Sequence, residues 1–239
     1  MIVETEIAET ATLFSDPVRA AMLVSLIDGK AQSAGQLAFA ANVSPQAASF
    51  HLAKLTLAAL LKVERQGRNK LYRLAGAEVA GVIESLGAIA TPTAVPSPPR
   101  VFRSERHQEL RFARSCYDHL AGILGVHLHD SILQKGFLLK SSEREYALTD
   151  QGQQWLEASG LNTAQTRSPF VRPCMDWSER RPHLAGRLAA QLLEKCFTDG
   201  WIARIRETRA VRVTDRGARG FEREYGINLR FATLAASRD

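Results

Sequence analysis

Val43-Ser44-Pro45-Gln46-Ala47-Ala48-Ser49-Phe50-His51-Leu52, running on to Leu71-Tyr72-Arg73, decides how this 239-residue chain folds. Ser44 can cap a helix with its side-chain oxygen, and Pro45 stands where a first-turn proline loses no hydrogen bond. Ala48, Leu52, Leu55 and Ala59 recur at helical spacing and mark a buried face. Gln46, Ala47, Ser49, Phe50 and Lys54 fall on the other face, small or able to hydrogen-bond. Leu61 to Arg65 alternates as a strand, Lys70 to Leu74 alternates back, and Gln66-Gly67-Arg68-Asn69 is the turn between them. A capped helix followed by a basic hairpin predicts a winged helix, a fold that reads DNA.

Working outward, apolar stripes over Ile7 to Leu26 predict helix, interrupted at Asp16-Pro17, so that Pro17 opens a second helix and Gly29 closes it. Ser33 caps a short helix over Ala34 to Ala41, with Asn42 as a left-handed exit. The short helix, tight turn and capped second helix make a helix-turn-helix. Among the candidate base and phosphate contacts, Ser44, Gln46, Ala47, Ser49, Phe50, His51 and Lys54 lie on the reading helix. Arg65, Arg68 and Lys70 lie on the wing.

Leu13-Phe14-Ser15-Asp16-Pro17-Val18-Arg19, Gln36-Leu37-Ala38, Val43 to Gln46, His51-Leu52-Ala53-Lys54-Leu55 and Gly67 to Leu74 together resemble the ArsR family over residues 5 to 90. The resemblance implies a bacterial winged-helix regulator, typically a homodimeric repressor released from double-stranded DNA by a ligand. Ala59-Leu60 stands where the family usually has Gly-Leu. The family's familiar metal sites do not carry over: Ala34 to Ala40 has no cysteine, and Ala77 to Ile89 has no His, Cys or Asp. Val79, Val82, Ile83, Leu86 and Ile89 give Gly76 to Ala90 a helical apolar face, resembling the family's dimerisation helix. A helix packed on its own domain is the plainer reading.

Thr91 to Pro99 holds four prolines in nine residues and reads as a semi-rigid linker. Beyond it the chain repeats itself. Asp118-His119-Leu120-Ala121-Gly122 opens an apolar helix closing at Gly136-Phe137-Leu138, and Pro182-His183-Leu184-Ala185-Gly186 opens another closing at Gly200-Trp201-Ile202. After a polar hairpin in each, Leu148-Thr149-Asp150-Gln151-Gly152 and Val213-Thr214-Asp215-Arg216-Gly217 start a last helix. Those helices end at Gly160-Leu161-Asn162 and Gly226-Ile227-Asn228. The expected fold class is therefore mostly α with small β-hairpins: a winged helix-turn-helix over 1–91, a linker over 92–99, and winged-helix-like repeats over 100–162 and 163–239.

Cys116, Asp118 and His119 cluster at the entrance of one repeat, and Cys174, Asp176, Trp177 and His183 at the entrance of the other. On a helix Cys116 and His119, three apart, would share a face, and thiolate with imidazole is a zinc-type pair. Two such pairs could hold a metal or metalloid if the repeats face each other; reactive sensing thiols are another reading, and ordinary core residues a third. No metal site and no cofactor is assigned on sequence alone. Trp177, Arg180 and Arg181 could hold a small anionic or aromatic effector, or form a salt-bridged surface loop. His127-Leu128-His129-Asp130 reads as surface. Arg100, Arg103, Arg106, Arg111 and Arg114 either extend the DNA footprint or line a solvated helix face.

The net charge of +6 and pI near 9.5 favour an anionic partner. No run approaches the ~18 apolar residues of a membrane span. Met1 to Thr12 is no basic apolar leader, and three scattered cysteines build no disulfide framework, so a cytoplasmic setting is expected. There is no nucleophile elbow, phosphate loop or paired-carboxylate signature, so an enzyme is not expected. A ligand-responsive repressor fits all parts of the chain; an architectural DNA protein of low sequence preference is the alternative.

Overall fold

The computed structural model describes residues 2–67, 69–90, 105–161 and 170–229. Arg68 and the 92–99 linker lie outside the described residues. The chain forms two compact units, residues 1–107 and 108–239.

The first unit begins with α1 (Ile2–Ser15) and α2 (Pro17–Ser25). Asp16 separates them because its carboxylate accepts from the Arg19 backbone N–H at 2.9 Å, capping α2. That hydrogen bond is the main reason the Asp16 carboxyl is held below its ordinary value. Its contribution to stability is complete above the ordinary carboxylate range and fades as pH falls through the lowered value. Then come β1 (Gln32–Ser33) and α3 (Ala34–Ala40), entered through a Ser33–Gln36 capping box. Asn42 takes the left-handed conformation expected of it, at φ 55°.

α4 (Pro45–Leu57) starts on Ser44, whose oxygen accepts from the Ala47 N–H at 3.2 Å. β2 (Leu61–Gln66) and β3 (Asn69–Leu74) form the wing, β1 joins as a third strand in the order β1-β3-β2, and α5 (Ala77–Ile89) closes the unit. Met22, Leu23, Leu26, Leu37, Ala48, Leu52 and Leu55 form the core. Each large aliphatic side chain so buried contributes about 1.5–3 kcal/mol. One expectation fails here: α4 stops at Leu57, and Ala59 is exposed at φ 56° instead of lying on the buried face. A glycine would take that conformation without strain, which is why Ala59 is the odd residue in its motif.

The second unit is entered through α6 (Glu105–Phe112), which crosses the division. Next come β4 (Arg114–Cys116), β5 (His119–Ala121), α7 (Gly122–Gln134), β6 (Leu138–Lys140), β7 (Tyr146–Leu148) and α8 (Asp150–Ala158). The same order of hairpin, helix, hairpin and helix recurs in β8 (Arg172–Met175), β9 (Pro182–Ala185), α9 (Arg187–Thr198), β10 (Ile202–Arg204), β11 (Val211–Val213) and α10 (Asp215–Tyr225). The hairpins expected after α7 and α9 are present. The segments 118–122 and 182–186, however, do not open helices. Tyr117-Asp118 is a two-residue turn with Tyr117 at φ 60°, so His119–Ala121 pairs back on Arg114–Cys116 and the helix waits until Gly122. Pro182–Ala185 pairs with Arg172–Met175 in the same way.

The small residues of the two last helices have a steric cause. A Cβ on Gly152 would lie 2.0 Å from the Phe137 carbonyl oxygen, and one on Gly217 would lie 2.0 Å from that of Trp201. Both runs contribute to one hydrophobic core, including Leu124, Leu128 and Ile132 of α7 with Leu188, Leu192 and Phe221. The packing is reciprocal: α7 lies against β9, α9 against β5, and β5 and β9 are neighbours.

Two expectations about charge and surface are corrected. Arg114 is no part of a solvated or DNA-facing helix; it sits in β4, fully buried. His129 is buried too, because its ring bridges Asp130 (3.0 Å) and the Tyr146 hydroxyl (2.7 Å) across to β7.

Candidate nucleic-acid interface and a thiol–imidazole cluster

α4 turns Ala48, Leu52 and Leu55 inward, which leaves Gln46, Ser49, Phe50, Ala53 and Lys54 exposed and Ala47 half-buried. Ser44 is committed to the cap, and Ser49 donates to the Pro45 carbonyl at 2.9 Å. Lys54 Nζ lies 4.4 Å from the centroid of the Phe50 ring, so charge and aromatic ring form one exposed patch. His51 is half-buried and faces the fold, with Nδ1 3.7 Å from the Asp16 carboxylate. An open groove lined by Ser49, Ala53, Val63, Asn69, Lys70 and Tyr72 runs between α4 and the wing.

In the wing Arg65 and Lys70 stand directly opposite one another, both exposed. Two cations at paired positions repel, so the hairpin carries a cost that an anionic partner would relieve. On the same strands Glu64 and Arg73 pair at 2.9 Å. Changing both Arg65 and Lys70 to Ala is expected to weaken binding on all DNA sequences alike and to flatten the slope of log K against log salt by about 1–2. A titration of affinity over salt concentration checks this; an unchanged slope would place the wing off the DNA.

In the second unit the residues singled out at the two repeat entrances converge. The ligand atoms of Cys116, His119, Cys174 and His183 all lie within 4.8 Å of one another. The helical spacing expected for Cys116 and His119 is replaced by a cross-strand pair on the β4–β5 hairpin, and Cys174 and His183 are the matching pair on β8–β9. Sequence distance differs (three against nine residues), yet the strand register makes the two pairs equivalent. His119 Nε2 and His183 Nε2 are 3.2 Å apart. Their far nitrogens face carboxylates: His119 Nδ1 to Asp118 at 2.9 Å, His183 Nδ1 to Asp176 at 3.4 Å. Burial works to lower the His119 pKa, but Cys116 and Asp118 raise it on balance above the ordinary value. None of the three cysteines is in a disulfide. Cys196 lies outside the cluster, buried on α9, where burial pushes its thiol up to about 12.

Asp176 and Arg114, both fully buried, underlie the cluster. Arg114 Nη2 donates to Asp176 Oδ1 at 2.8 Å, and the Gly122 N–H donates to Oδ2 at 2.7 Å. Ser178 donates both its N–H (2.9 Å) and its hydroxyl (2.7 Å) to Oδ1. Gly122 takes φ +79°, and a Cβ there would lie 2.5 Å from the Arg111 carbonyl oxygen. Trp177 is half-buried with the Arg114 guanidinium 4.9 Å from its ring centroid. Arg180 is exposed in the left-handed region at φ 53°, Arg181 pairs with Asp130, and Arg111 pairs with Glu179 at 2.8 Å. Sequence reasoning missed Arg114, Ser178 and Gly122. Only the short turn at Tyr117-Asp118 hinted at the hairpin that brings them in.

The capped reading helix, its exposed face and the paired wing define a winged helix-turn-helix, the DNA-binding part of a transcriptional regulator. The helix-turn-helix domain family matches residues 14–64. Over 226 residues the chain is 42% identical to the uncharacterized HTH-type transcriptional regulator YdfF of Bacillus subtilis, covering 93% of this chain and 98% of that protein. The chain belongs to this family of HTH-type transcriptional regulators. Solved structures resemble about a third of it. A predicted DNA-binding transcriptional regulator from E. coli is 26% identical, covering 37% of this chain and 94% of that one, with a TM-score of 0.35. The repressor BigR from Xylella fastidiosa is 24% identical, covering 38% and 91%, with a TM-score of 0.35. Among the described residues no helix is long and apolar enough to cross a membrane.

Proposed function

We propose that the protein is a homodimeric cytoplasmic repressor that reads double-stranded DNA with α4 and the wing. Its second unit, which we infer to be an internal duplication, sets the strength of that binding in response to a small molecule, a metal or thiol chemistry. The observation that carries the reading is the exposed face of α4, where Gln46, Ser49, Phe50 and Lys54 stand clear of a fully buried core face. Gln46 lies in the first turn, the part of a reading helix that reaches base edges in the major groove. Exposed apolar side chains support dimerisation: Val82, Leu86 and Ile89 on α5, and Val3 and Ile7 on α1. A symmetric dimer would read two half-sites about 34 Å apart.

The deciding experiment is a footprint and gel shift on the DNA upstream of the protein's own gene. Gln46→Ala is expected to cost about 1–3 kcal/mol on the specific site and to blur the choice of base. Equal loss on specific and random DNA, or a footprint without sequence preference, would instead favour an architectural DNA protein.

A further inference from the structure

We propose that Cys116, His119, Cys174 and His183 form a closed tetrahedral Zn2+ centre that ties the two hairpins of the second unit together. Nothing in it depends on the role proposed for that unit.

The donor set and its dimensions come first. Zn–N bonds of 2.0–2.1 Å on a tetrahedron put two nitrogens about 3.3 Å apart, and Zn–S bonds of 2.3 Å put two sulfurs about 3.8 Å apart. The two Nε2 atoms stand at 3.2 Å, and all four donor atoms fit within 4.8 Å. Two sulfurs and two nitrogens suit zinc, whereas Mg2+ and Ca2+ take oxygen donors and Cu2+ and Ni2+ favour planar sites. Two thiolates would also neutralise the ion, as a buried position requires. Three of the four residues are buried and Cys174 is half-buried.

The hydrogen-bond arithmetic points the same way. Two hydrogen-bond contacts run through the pair, Asp118 Oδ1 to His119 Nδ1 at 2.9 Å and His119 Nε2 to His183 Nε2 at 3.2 Å. The buried His183 Nδ1 makes no hydrogen bond among the described residues and stands 3.4 Å from Asp176 Oδ2. If His183 keeps its proton on Nε2 to fill the contact between the rings, its Nδ1 lone pair is left facing the Asp176 carboxylate in a buried position. If each ring instead carries its proton on Nδ1, toward the carboxylate, two nitrogen lone pairs face each other at 3.2 Å. A cation between them removes that repulsion. The carboxylates then serve as partners that fix the ring orientation and leave Nε2 as the ligand atom. Each hairpin supplies one Cys and one His from paired strand positions, so the centre has the same approximate two-fold arrangement as the elements around it. Four protein ligands leave no open position, which is the pattern of a structural site. Binding releases the thiol protons as the sulfurs become thiolates.

The test uses the full-length protein. Metal analysis after purification is expected to find one zinc per chain. Replacement by Co2+ should give the visible bands of a tetrahedral ion with thiolate charge transfer. The double variant Cys116→Ser/Cys174→Ser should lose the metal, and Cys196→Ser should keep it. Asp118→Ala, at an exposed carboxylate, should weaken zinc binding about 10–100-fold with the fold intact. If the double variant fails to fold, the wild-type protein decides: chelation should expose two thiols to alkylation, and Zn2+ should protect them again. Zinc retained at full stoichiometry by a folded double variant would overturn the proposal. So would a folded, metal-free wild-type protein that takes up neither Zn2+ nor Co2+, leaving a proton shared by the two imidazoles.

Discussion

Replacing Arg114 by Met is expected to destabilise the second unit by about 3–5 kcal/mol, the cost of removing one partner from a buried ion pair. Both side chains are fully buried, so Asp176 would be left charged without its counter-ion. The Gly122 and Ser178 donors would remain but cannot replace a guanidinium. In the native protein burial opposes ionisation of Asp176, yet Arg114 outweighs it and holds the carboxyl well below its ordinary range. The variant should therefore unfold at lower urea. Trp155, Trp177 and Trp201 are the chain's three tryptophans and all lie in the second unit, so fluorescence reports on that unit alone. Arg114→Met combined with Asp176→Asn should recover part of the loss, because the stranded charge is gone. A single variant within about 0.5 kcal/mol of the wild type, the range of an ordinary surface substitution, would mean that the pair contributes little.

On the proposed homodimer, Leu86→Glu with Ile89→Glu on α5 is expected to give a monomer and to reduce affinity for a two-half-site operator about 10²–10⁴-fold. The reason is valency, since one reader then holds one half-site. Both side chains are exposed in the single chain, 44% for Leu86 and 79% for Ile89, so the monomer itself should unfold at the same urea concentration. Light scattering and a gel shift check the two halves of the claim. A variant that stays dimeric and keeps its affinity would place the dimer contact elsewhere.

The reader was legible in the sequence because its signals are local. Ser44 and Pro45 announce the start of α4 within two residues, and the buried face follows at a spacing set by the helix itself. The wing showed through strict alternation on either side of a glycine turn. The second unit is less legible because its first hairpin in each run is only three or four residues per strand, too short for alternation to separate strand from helix. His119 and His183 therefore read as helix openings. The pairing of Cys116 with His119 and of Cys174 with His183 is a matter of register, which spacing alone does not reveal when one turn has two residues and the other is a longer loop. Arg114 was hidden for a different reason. It ends a run of arginines, and nothing in the sequence marks it as the one buried against Asp176.

The reciprocal packing of the second unit also has a consequence for how the protein is made. Leu124, Leu128 and Ile132 of α7 share their core with residues of the later run, and β9 is the strand on which that helix lies. Ala121 and Ala185, the ends of the two strands, are about 60 residues apart, and a ribosome adding about 5–20 residues per second needs roughly 3–12 s to cover that distance. Throughout that interval the nascent first run presents an oily helix without β9, the strand that lies most extensively against it. Release at residue 162 would make that condition permanent, so a chain cut there should be captured by chaperones or proteases, whereas one ending near residue 90 would leave no such orphan.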